Sequence, residues 1–300
     1  MRFLPDYVMR GRMSAILAVV VLAMGSLLLV PLTSPLGYLS GAAVALVTLR
    51  MGPAMGAFLV AMATLASALL GLVTMQTALL GLGLLLGLWL PVWVAATVLR
   101  NTVSLALALL AAVGFGAAFV VGFHLTVSDP VAWWQQMLLE LPGLAGDPTL
   151  QENSEQVARL MTGLLAAGLA IGTVIALLVG RWWQAIQVNP GGFQEEFHGL
   201  RLPQAAAVAA LAILVMGLFL PGTMGALFAD LIWLMVLLYL LQGLAVTHAL
   251  VLRREAHVGW LVGLYAVLVF TFPLGVLMVA ALGFVDGWAN FRAVRAGDAE

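Results

Sequence analysis

The chain has 300 residues, of which 64% are hydrophobic and 8% charged, and its net charge is −1. A soluble domain carries about a quarter charged residues, so this composition excludes a water-soluble fold. The absence of cysteine excludes disulfides, thiolate metal sites and cysteine nucleophiles, and a near-neutral balance of scattered arginines excludes a nucleic-acid binder.

A hydrocarbon core of about 30 Å needs roughly 20 apolar residues per crossing helix. Runs of that kind recur from Ser14 to Phe284, long and continuously apolar rather than alternating, which selects helices over a barrel. The expected fold is all-α: one polytopic transmembrane helical bundle over residues 1–300, with about nine membrane segments and a range of eight to ten.

In chain order, the first helix is expected from Ser14 to Val30, stopped by Pro31, with a turn near Thr33 and Pro35. A short second segment spans Leu36 to Leu49, and a third starts on Pro53, as a first helical turn favours. The fourth runs from Thr77 to Leu99 with Pro91 as a kink, and the fifth from Thr102 to Leu125. Residues 126–156 are polar and contain an amphipathic stretch: Asp129 and Pro130 make a helix start, and Val131, Trp134, Leu138 and Leu141 recur at helical spacing. This predicts a helix lying on the outer membrane surface. Asp147-Pro148 repeats the start signal ahead of a sixth helix from Val157 to Gly180.

A second polar stretch, the connector at 181–203, begins with Trp182 and Trp183 and contains the turn signal Asn189-Pro190-Gly191-Gly192. Helices seven and eight span Gln204 to Leu220 and Met224 to Leu252. The last apolar region, Val258 to Phe284, is interrupted by Pro273 and is either one bent helix or two short ones. With alternating segments, Arg2, Arg10, Arg12, Arg50, Arg100, Arg181, Arg201, Arg253 and Arg254 share one side, so the amino terminus is expected in the cytoplasm and 126–156 outside. Splitting the last region at Pro273 also brings Arg292 and Arg295 to the cytoplasmic side.

Three stretches, Asn189 to Pro203, Gln242 to His248 and Leu282 to Arg292, together resemble the YybS-like family of uncharacterised bacterial membrane proteins. The resemblance covers nearly the whole chain and implies a multi-pass protein of the bacterial inner membrane. More distantly, the short second helix followed by Gly52-Pro53-Ala54-Met55-Gly56 resembles the S-components of energy-coupling-factor vitamin transporters. That resemblance implies a small molecule bound near the outer face and a membrane coupling subunit met through small residues of the first helix, here Ser14, Ala15 and Ala18 together with Gly11.

No phosphate-cradling loop, zinc-protease motif or nucleophile–base arrangement is present, so no enzyme, cofactor or metal site is expected. An ionisable group at membrane depth is a functional candidate. Asp230 in helix eight is the first, either as a ligand or proton site or as a carboxylate complementing the helix amino terminus. His124 is its candidate partner or an interfacial residue, and Gln242 either orients a ligand or bonds a neighbouring helix. Trp133, Trp134 and Glu140 are candidates for a lid over an outward-facing cavity or for interfacial anchors. Glu195, Glu196 and Arg201 in the connector either dock a partner or stay solvated. Two functions follow: a small-molecule binding or transport component, or a non-transporting scaffold that recruits a partner through the connector.

Overall fold

The structure is a computed structural model and describes residues 3–28, 34–140 and 148–292. The expected stop at Pro31, the turn at Thr33, Leu141, the Asp147 cap, Arg2 and Arg295 lie outside the described residues. Within them every regular element is helical: α1 Phe3–Val8, α2 Arg12–Leu28, α3 Ser34–Met51, α4 Pro53–Met75, α5 Leu79–Leu84, a π-helical turn Leu85–Trp89, α6 Leu90–Thr102, α7 Leu105–Thr126, α8 Pro130–Glu140, α9 Pro148–Val188, α10 Gly192–His198, α11 Gln204–Phe219, α12 Gly222–Arg253, α13 Gly259–Phe270 and α14 Leu274–Ala289.

Five stretches are long and apolar enough to cross a membrane: Pro53–Met75, Leu79–Thr102, Leu105–Thr126, Asn153–Val188 and Gly222–Arg253. Shorter apolar helices, α2, α3, α11, α13 and α14, accompany them. The protein is membrane-embedded and multi-pass. Pro91 explains the π-helical turn before it: proline has no N–H, and its ring clashes with the carbonyl four residues back, so the preceding turn widens. The last apolar region is two helices, divided at Thr271–Pro273.

Two polar stretches differ from their sequence reading. Helix six begins at Pro148 rather than Val157 and runs on to Val188, so the second half of the polar stretch forms the first turns of α9. Arg181 to Val188, expected in the connector, is helical as well, and the connector narrows to 189–203 around α10. At ~1.5 Å per residue α9 is roughly 60 Å long, about twice the hydrocarbon thickness, which lets its polar ends leave the apolar layer.

Contacts divide the chain into two compact units, Met1–Phe115 with Leu169–Phe197, and Gly116–Gly168 with His198–Glu300. In the first, α3 is the centre: Ala42, Ala43, Val44, Ala45 and Leu46 are all fully buried, as suits a helix apolar all round. Its one buried hydroxyl pair to neighbours is Ser40, which donates to Val19 O at 2.7 Å and accepts from Trp89 Nε1 at 3.0 Å. Gly180 lets the second half of α9 approach, since a Cβ there would lie 2.6 Å from Ala45 Cβ. In the second unit α12 is the centre, with α11 and α14 packed along it. Gly243 and Gly283 set the α12–α14 crossing: a Cβ at Gly243 would meet Val279 O at 2.0 Å, and one at Gly283 would meet Tyr239 O at 2.1 Å.

Candidate functional site

Asp230 lies eight residues into α12, about 12 Å along its axis and past the first turn where a helix dipole acts. Its carboxylate is held from two other helices of the second unit. His124 Nε2, in the last turn of α7, is 2.8 Å from Oδ2, and the Gly163 N–H of α9 donates to Oδ1 at 3.0 Å. The His124 and Asp230 side chains are 4% and 7% exposed. The glycine is required by this approach: a Cβ at Gly163 would stand 2.5 Å from Trp233 Cδ1 and 3.0 Å from the Asp230 Cα. One turn along, Gly116 serves the same packing, where a Cβ would meet Leu234 Cδ2 at 2.8 Å.

His124 Nδ1 is buried and has no hydrogen-bond partner among the described residues. A neutral imidazole donating from Nε2 to the carboxylate leaves Nδ1 as an unfilled acceptor. One further proton placed there makes an imidazolium–carboxylate pair without moving either side chain. The arrangement can therefore hold a proton, or accept a hydrogen bond from a ligand, at a defined atom.

α8 packs beside this pair. Asp129 Oδ1 accepts from the Ala132 N–H at 3.0 Å, the cap expected of Asp-Pro, and the helix spans Pro130–Glu140. Its buried face is fixed by Trp134 Nε1, which donates to Thr162 Oγ1 at 2.9 Å, and by Gln135 Nε2, which donates to Ser154 Oγ at 2.9 Å. Trp133, Trp134 and Phe123 form an aromatic cluster with ring centroids 4.7 to 5.5 Å apart. Phe123 and Thr162 are the chain neighbours of His124 and Gly163, so α8 braces both helices that hold the carboxylate. Glu140 is not at the site: it is exposed and accepts from Gln136 Nε2 at 2.8 Å.

Gln242 belongs to a second polar cluster. It is fully buried, its Oε1 accepts from the Leu202 N–H at 2.8 Å, and its Nε2 donates to Gly283 O at 2.9 Å and Asp286 Oδ2 at 3.3 Å. Arg292 donates to Asp286 Oδ2 at 2.6 Å and to His198 O and Leu200 O, each at 2.8 Å. Asp286 also accepts from the Phe291 N–H at 3.0 Å and is fully buried. Gln242 here ties α12 to α14 and to the segment before α11. His198, Leu200 and Leu202 ahead of α11, Gln242 of α12, and Gly283, Asp286, Phe291 and Arg292 in and after α14 meet in this one cluster.

The remaining candidates stay apart. Ala15 and Ala18 are buried within the first unit, and Ser14 beside them is half-buried. Glu196 pairs with Arg181 at 2.7 Å, Arg201 donates to Gly287 O at 3.1 Å, and Glu195 is exposed. Sequence reasoning missed Gly163, Asp286 and Arg292. Asp286 carried a usable signal, a carboxylate inside an otherwise apolar helix. Gly163 carried none beyond being small. No family model, curated protein or solved structure matches this chain.

Proposed function

We propose that the chain is a small-molecule binding or transport component of the bacterial inner membrane, belonging with the YybS-like proteins it resembles. In this reading the long and short apolar helices together make eight to ten crossings, the amino terminus is cytoplasmic, and α8 lies on the outer side. The observation that carries the proposal is the buried His124–Asp230 pair with its unfilled Nδ1. A carboxylate at the centre of a membrane helix costs about 2.5 to 3.5 kcal/mol on insertion scales, so one that is kept there is a functional candidate. With Nδ1 bare the pair carries the net negative charge of the carboxylate, and a cation or hydrogen-bond donor bound at this site offsets that buried charge.

Native mass spectrometry of the purified full chain tests this. A small molecule retained by the wild type and lost from Asp230→Asn is the expected result. A wild-type spectrum free of bound small molecules, with a copurifying protein subunit in their place, would sink the proposal in favour of the scaffold reading.

A further inference from the structure

The first unit has five arginines among its described residues, and three of them are occupied. Arg50 donates to Gln187 Oε1 at 3.1 Å, Arg100 donates to Leu49 O, and Arg181 pairs with Glu196 at 2.7 Å. Arg10 and Arg12 stand on either side of Gly11, in the elbow between α1 and α2. Both are exposed, and neither guanidinium has a hydrogen-bond or ion-pair acceptor among the described residues. Asp6, the closest acid in sequence, accepts from Gln187 Nε2 at 3.0 Å instead.

Both guanidiniums stand over rings. Arg10 Cζ is 5.9 Å from the Tyr7 ring centroid and Arg12 Cζ is 5.7 Å from that of Phe58, contacts that help hold the cations in place and leave their N–H donors unfilled. Phe58 is the sixth residue of α4, a stretch long and apolar enough to cross a membrane, and is 43% exposed. In a membrane-embedded chain that ring meets lipid near the helix end, so the Arg12 guanidinium stands where the apolar layer gives way to headgroups. Arg12, Met51 and Phe58 line one small groove, and Met13 beside Arg12 is exposed. A soluble anion would fill the arginine donors and leave these apolar side chains uncovered. A phosphatidylcholine would bring its own quaternary ammonium towards two arginines. A phospholipid with a net negative headgroup fills the donors and covers the apolar rim together.

We propose that Arg10 and Arg12 bind the phosphate of an anionic phospholipid headgroup, with its acyl chains against Met13, Met51 and Phe58. The site lies in the first unit and does not depend on the role of the His124–Asp230 pair.

Native mass spectrometry of the full chain in a zwitterionic detergent, titrated with phosphatidylglycerol or with phosphatidylcholine of the same acyl chains, tests this. Phosphatidylglycerol should half-saturate the first lipid-bound peak at a concentration about fivefold or more below that of phosphatidylcholine, since each arginine near the phosphate is worth about fivefold. Arg10→Gln and Arg12→Gln should each raise the phosphatidylglycerol value about fivefold and leave the phosphatidylcholine value unchanged. Both side chains are exposed, so the melting temperature should be kept. Arg254→Gln, the same change of charge at an exposed position of the second unit, should alter neither value. Equal affinity for the two lipids, an equal loss in Arg254→Gln, or displacement of phosphatidylglycerol by inorganic phosphate at matched concentration would each overturn the assignment.

Discussion

The indole N–H of Trp134 donates to Thr162 Oγ1 across 2.9 Å, one residue before the glycine whose own N–H holds the Asp230 carboxylate. The contact joins α8 to α9 at the level of the polar pair. Trp134→Phe keeps most of the buried ring and removes the donor, so a loss of about 1 kcal/mol is expected. Trp134→Ala also opens a cavity and should cost about 3 to 5 kcal/mol. Denaturant unfolding in detergent checks both, and equal effects would mean that the hydrogen bond dominates the packing.

Gly163→Ala places a methyl group against Trp233 and the Asp230 backbone. Overpacking of this kind costs about 1 to 3 kcal/mol. Gly168→Ala is the matched control in the same helix, where a Cβ meets nothing within 4 Å. There the helix preference for alanine acts alone and stability should be unchanged or rise by up to about 1 kcal/mol. A comparable fall in melting temperature for both variants would show that the close approach at Gly163 is not what demands glycine.

The Asp286–Arg292 pair predicts a non-additive outcome. Arg292→Met leaves a fully buried carboxylate without its cation, which costs about 3 to 5 kcal/mol. Asp286→Leu alone strands the guanidinium, although its bonds to His198 O and Leu200 O remain. The double variant removes both charges and should be more stable than Arg292→Met. A double variant whose loss equals the sum of the single losses would show that the two residues act independently.

His198, in the connector outside the crossing helices, is held below the ordinary histidine range by burial and then by the nearby His248. The unfolded chain therefore binds a proton more readily than the folded one. The stability that neutral His198 contributes is complete above its unfolded value, about 6.5, and is lost as pH falls through the folded one. His198→Gln should flatten the acid side of the stability profile, measured as melting temperature between about pH 7 and pH 5. An unchanged acid slope would remove His198 from the account.

The pair at Asp230 was legible in the sequence because ionisable residues are scarce in these helices. Two of them near the same end of long apolar runs have few other partners to find. Gly163 was not legible: what demands glycine is the approach of α9 to α12, a property of packing rather than of either helix alone. The length of α9 was hidden for a different reason. Its polar first turns, up to Glu155 whose carboxylate pairs with Arg159 one turn on, read as part of the external polar stretch because apolarity, not helical continuity, marked the segment ends. Gln242 was visible, but its role became clear only with Asp286 and Arg292 beside it, since a buried amide shows in sequence without its partners.

The same geometry predicts which nitrogen of His124 carries the proton and how one substitution reverses it. In the wild type Nε2 faces the Asp230 carboxylate, which can only accept, so the proton sits on Nε2 and Nδ1 is bare. Asp230→Asn keeps the shape and one carbonyl oxygen. That oxygen stays with the Gly163 N–H, which needs an acceptor, and the amide NH2 then turns toward His124. Nε2 must become the acceptor and the proton moves to Nδ1. Because the hydrogen-bond count around residue 230 is preserved, stability should change by less than about 1 kcal/mol. Imidazole 15N shifts of selectively labelled protein distinguish the two tautomers directly. A proton on Nε2 in both forms would mean that in Asp230→Asn the carbonyl oxygen, and not the amide, faces His124, and a proton on Nδ1 in the wild type would mean that His124 does not donate to the carboxylate. A large destabilisation with the tautomer reversed would instead show that the negative charge, and not the bond pattern, holds the three helices at this point.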